Sequence, residues 1–124
     1  MPVNMEAWRK IIEQGTDGIA DEELQRRAWF GIGPEESSPE ETINQFLGDA
    51  AIREFLSRKD AGLNELQIES GRHLVDLIEK FLKEMPQGYR FIDPSKLIDD
   101  PRWSEVREAA TRFLALLLKP TKEN

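Results

Sequence analysis

Residues 63–86, LNELQIESGRHLVDLIEKFLKEMP, decide the fold class. Ile68, Gly71, Leu74, Val75, Ile78, Phe81, Leu82 and Met85 recur at steps of three and four. That places them along one side of a helix with about 3.6 residues per turn. The start of the helix is written into the same stretch. Asn64 can cap its first turn, Gln67 stands where a capping-box partner reaches back, and Leu63 and Ile68 occupy the two positions of a hydrophobic staple. Pro86, with no N–H to donate, supplies the stop.

Upstream of it, the chain reads as four shorter helices. Asn4 can cap the first, in which Met5, Trp8, Ile11 and Ile12 form the inward stripe and Gly15 with Gly18 marks the end. Asp21 caps a second, DEELQRRAWF, with acids in its opening turn and Arg26 and Arg27 near its close, as the helix dipole favours. Leu24, Ala28 and Trp29 make its narrow apolar side. The Gly and Pro residues of GIGPEESSPEE then forbid continuation. Ser38, Pro39 and Glu41 supply an N-cap, a first-turn proline and a capping-box acid for a third helix with Ile43, Phe46 and Leu47 inward. Gly48 and Asp49 either end that helix, with Asp49 capping a fourth that carries Ile52, Phe55 and Leu56, or kink one longer helix. Asp60, Ala61 and Gly62 turn the chain into the long helix.

Downstream, QGYRFID is an isolated segment without a partner strand and reads as a loop pinned by Tyr89, Phe91 and Ile92. Asp93 and Pro94 open a single turn holding Leu97 and Ile98, and Asp100 with Pro101 repeats that cap-then-proline signal for the last helix. Trp103, Val106, Ala110, Phe113, Leu114, Leu117 and Leu118 line its apolar side, and Pro120 follows its end. The expectation is therefore an all-α, single-domain bundle over residues 1–124, of about five to six helices. Its long central helix, about 64–85, packs on the C-terminal helix, about 101–118.

At 124 residues the chain can bury roughly two-thirds of the surface its unfolded form exposes. Its 39% apolar and 33% charged residues describe a globular chain rather than a disordered one. Without cysteine there are no disulfides, thiolate nucleophiles or cysteine zinc sites. No long apolar run occurs, the longest being Phe113 to Leu118, and a cytoplasmic location is expected. The net charge of -7 argues against nucleic acid as a partner, because such binding rests on Lys and Arg neutralising phosphates. A membrane partner is not expected either. Residues 1–62 hold 13 acids and 7 bases, whereas residues 63–124 hold 11 and 10, so the acidity belongs to the first half.

Catalytic signatures are absent from the pattern. The only histidine, His73, stands with Glu69 and Asp76 in E-x3-H-x2-D, but Arg72 and Lys80 flank Asp76 at helical spacing, and one helix rarely completes a metal's coordination sphere. That face is read as a salt-bridged, solvated one. No G-x-S-x-G elbow occurs, and GIG at 31–33 lacks both the G-x-G-x-x-G spacing and a Walker lysine. Paired acids such as Glu22 with Glu23 or Asp99 with Asp100 point in different directions along a helix and are explained by caps and first turns. No catalytic, metal or cofactor residue is assigned.

The strongest functional candidate is the stretch from Asp17 to Asp49. Asp17, Asp21, Glu22, Glu23, Glu35, Glu36, Glu40, Glu41 and Asp49 surround Trp29, Phe30 and Ile32, and aromatics ringed by charge are what protein interfaces use. The simpler reading leaves Trp29 and Phe30 in the core and the acids at helix starts. RRAWFGIGPEESSPEETINQFLGD, with the later DPRWSEVREAATRFLALL, resembles the small acidic immunity proteins that bacteria encode beside contact-dependent growth inhibition and other polymorphic toxins. The resemblance implies a protein without catalysis of its own that binds and neutralises a cognate toxin domain, here a basic one met by the acidic half. A monomer is expected. Two other classes stay open: a structural or regulatory subunit of a helical assembly, which sedimentation would reveal, and a small-molecule enzyme using Glu69, His73 and Asp76.

Overall fold

The computed structural model describes residues 4–34, 36–85 and 93–118. All regular structure in them is helical: α1 (Met5–Ala20), α2 (Glu22–Trp29), α3 (Pro39–Asn44), α4 (Ile52–Ser57), α5 (Glu65–Lys83), the single turn α6 (Pro94–Leu97) and α7 (Pro101–Leu118). A π turn, Gln45–Asp49, continues α3, and a 3-10 turn, Lys59–Ala61, precedes α5. The expected loop at 86–92 and the stop signals at Pro86 and Pro120 lie outside the described residues.

The caps act as the residue types predict. Asn4, Asp21, Ser38, Asn64 and Asp93 each accept a first-turn N–H in the side chain, and the Asn64–Gln67 box is closed from both sides. Asp100 does the same for α7, accepting the Arg102 N–H at 2.8 Å. At α3 the reciprocal contact differs, because Glu41 meets the Ser38 hydroxyl at 3.4 Å.

α5 and α7 pack against each other as expected, and α1 packs along α7 as extensively. The last helix is thus held between the first and the fifth. Its C-terminal carbonyls are finished by those neighbours: Gln67 of α5 donates Nε2–H to Leu116 O at 2.9 Å, and Arg9 of α1 donates to Leu117 O at 2.8 Å. Carbonyls that a helix end leaves without internal partners become the joint between three helices.

Gly15 and Gly18 do not end α1, which runs on to Ala20 and buries Thr16 and Ile19. Gly15 instead packs against the π turn, where a Cβ would stand 3.5 Å from the Phe46 Cα, an ordinary contact. Ile11, expected inside, is exposed. Gly71 makes the closest approach: a Cβ on it would fall 2.7 Å from Leu56 Cδ2 and 3.0 Å from the Phe113 ring. Asp49 caps nothing; the chain leaves the π turn through Ala51, whose left-handed φ of 51° starts α4 without a side-chain cap.

Each tryptophan is placed by its indole N–H. Trp8, half-buried, donates to Ala50 O at 2.7 Å, Trp29 to Thr42 Oγ1 at 3.2 Å and Trp103 to Gln25 Oε1 at 3.2 Å. Trp103 is the centre of the core. Its ring lies 6.0 Å from Trp29 and 5.9 Å from Phe81, joining α2, α5 and α7. Gln25 is buried with its amide fully used, because Nε2 also donates to Gly18 O and Ile19 O, both at 2.8 Å.

Candidate functional site: an acidic face around α2 and α3

Residues 17–49 carry nine acids against only Arg26 and Arg27, a net of -7, so the remainder of the chain is balanced. The structure sorts these acids by what already holds them. Glu22 turns toward α7: it accepts from Arg26 at 2.6 Å and lies 3.5 Å from Arg107, and its carboxyl is held below the usual range chiefly by the Arg26 hydrogen bond. Glu23 pairs with Arg27 at 3.2 Å across one turn of α2. Asp21 is committed to capping α2. Asp17 is pushed above the usual carboxylate range, first by partial desolvation and then by the neighbouring Asp21.

Glu36 and Glu41 are different. Both are exposed, and among the described residues neither has a cation within ion-pair distance. They stand on the rim of a groove of about 240 Å³ between α2 and α3, walled by Leu24, Ala28 and Trp29, with Gly18 of α1 also lining it. Glu40 is half-buried one residue along α3. Asp49 is exposed, but it adjoins Ala50, which receives the Trp8 indole near the opposite end of α1 from Asp17 and Asp21. Glu35 lies outside the described residues. The eight described acids therefore do not form one patch.

The aromatics also divide. Trp29 is 8% exposed and belongs to the core, whereas Phe30 is 40% and Ile32 75% exposed. Gly31, at φ +66°, makes the turn that presents them. The Ile32 N–H donates to Arg27 O at 3.0 Å, the six-to-one bond of a Schellman ending. In that motif the residue after the turn usually folds onto an apolar residue of the last helical turn. Here its counterpart is Arg27, and Ile32 is left in solvent.

Glu69, His73 and Asp76 are exposed on α5. Among the described residues no three His or acidic side chains come together as metal ligands, and Asp76 makes no ion pair with Arg72 or Lys80. The salt bridge on that face joins Arg53 to Glu79 instead. Asp76 and Arg72 line a separate hollow of about 300 Å³ floored by Leu56 and Val75, which neither Glu69 nor His73 lines. No described helix is long and apolar enough to cross a membrane. No family model, curated protein or solved structure matches this chain.

Proposed function

We propose that this chain is a protein-binding module that captures a basic protein domain on the face formed by α2, the 30–38 loop and α3, and that the captured domain is a toxin held inactive. The observation that carries the reading is the concentration of the whole net charge of -7 into residues 17–49, beside the exposed Phe30 and Ile32. Carboxylates that hold no cation among the described residues steer a cationic partner, and exposed apolar side chains at the turn supply contact area once water is expelled. Inhibition by capture requires no chemistry from the binder. The test is co-expression with the product of the adjacent gene. Protection of the cell together with a stable complex is expected, and loss of both on Phe30→Ala/Ile32→Ala should follow. Absence of any complex would remove the reading.

One observation favours a second reading, a subunit of a helical assembly. Leu66 and Leu118 are 57% and 62% exposed where the first turn of α5 meets the last turn of α7. Sedimentation separates the two: a concentration-independent monomer supports capture, and self-association lost on Leu66→Ser/Leu118→Ser supports assembly.

A further inference from the structure

We infer that the groove between α2 and α3 is a receptor for one arginine side chain of the protein partner; this rests on the capture reading and names what the face recognises. Its volume of about 240 Å³ is below the range of roughly 300–1,000 Å³ in which small-molecule pockets fall, and it suits a single long side chain. The walls match such a side chain from end to end. Leu24 and Ala28 offer apolar surface to a methylene stem, and Trp29 adds part of an indole. Glu36 and Glu41 stand at the rim on different elements, one on the loop and one on α3, and no Lys or Arg among the described residues lines the groove. Two carboxylates on separate supports are better met by a planar guanidinium, with five N–H donors in a fork, than by a compact ammonium. The contrast with Glu22 and Glu23 supports the assignment. Those acids already hold Arg26 and Arg27 of the same chain, while Glu36 and Glu41 have no internal cation among the described residues.

The groove can be closed without touching its charge. A Cβ on Gly18 would meet only Thr42 Cγ2, at 3.8 Å, an ordinary contact, so the position accepts a first carbon, and the further carbons of Gly18→Leu are expected to extend into the groove that Gly18 lines. The probes are n-butylguanidinium chloride and n-butylammonium chloride, titrated into the full chain and followed through the backbone amides of residues 36, 37, 41 and 42 and the Trp29 indole N–H. Saturable shifts confined to those groups are expected, at least about threefold tighter for the guanidinium. They should weaken about tenfold in Glu36→Gln/Glu41→Gln and vanish in Gly18→Leu with helical content unchanged. Shifts spread over every acid of residues 17–49, or equal binding by Gly18→Leu, would overturn the inference. If the partner's association stays salt-dependent while Gly18→Leu binds it at full strength, the groove fails and the acidic face stands. If the probe binds the groove but no partner associates, the capture reading is what fails.

Discussion

Gln25 shows how a single polar residue organises the interior. Its amide donates to two carbonyls at the end of α1 and accepts the indole N–H of Trp103, and no buried side-chain nitrogen or oxygen among the described residues lacks a partner. Gln25→Leu keeps roughly the same volume but strands the Trp103 N–H and two carbonyls. A loss of about 2–4 kcal/mol in urea unfolding is expected, with the shape of the transition preserved. Gly71 offers a steric counterpart. Gly71→Val places carbon where Leu56 and Phe113 already stand and should cost about 2–3 kcal/mol, whereas Gly48→Ala, with nothing within 4 Å of the added carbon, should cost nothing or stabilise. Equal effects at the two glycines would remove close approach as the reason for Gly71.

At the scale of elements, the local signals were legible and the non-local ones were not. Asn4, Asp21, Ser38, Asn64, Asp93 and Asp100 are visible as caps because a cap is decided by residues within one turn of it. Gly15 and Gly18 look like an ending for the same reason: nothing nearby in sequence shows that Phe46 and Thr42 come to rest on them. The pairing of α1 with α7, and the capping of α7 by Arg9 and Gln67, join residues far apart in the chain and leave no periodic trace. The exit from the π turn through Ala51 is also unsignalled, because alanine has no preference for a left-handed conformation. That strain is testable. Ala51→Gly should raise stability by up to about 1 kcal/mol, while Gly31→Ala, at φ +66°, should lower it by about 1 kcal/mol. A loss at position 51 would mean that α4 does not begin as described.

Across the whole molecule, charge and architecture divide between two regions. The α1–α7–α5 layer holds the fold, and most of the -7 of residues 17–49 is carried by the segments that follow α1. The positions of the acids were plain in the sequence. Which acids are free was not, since the Arg107 that approaches Glu22 comes from α7 and the pocket rimmed by Glu36 and Glu41 exists only when α2 and α3 meet. Partial desolvation, with Asp21 nearby, also shapes the pH response. The raised carboxyl of Asp17 means that its ionisation opposes folding: its contribution is fully favourable below the unfolded value, near pH 4, and is lost as pH rises through the folded value. Asp17→Asn should therefore be close to neutral at about pH 3 and stabilising at about pH 7. Thermal unfolding at the two pH values checks it, and stabilisation confined to acid would reverse the assignment.

Acids on the α2–α3 face that hold no cation among the described residues are proposed to draw in a basic partner. The most direct measurement of that proposal is the association rate with the purified product of the adjacent gene, for the wild type and for Glu36→Lys/Glu41→Lys. The expected result is a wild-type rate that falls about tenfold or more between about 50 and 500 mM salt, and a low-salt rate about tenfold lower in the double reversal. A rate indifferent to salt and equal in the two proteins would contradict it.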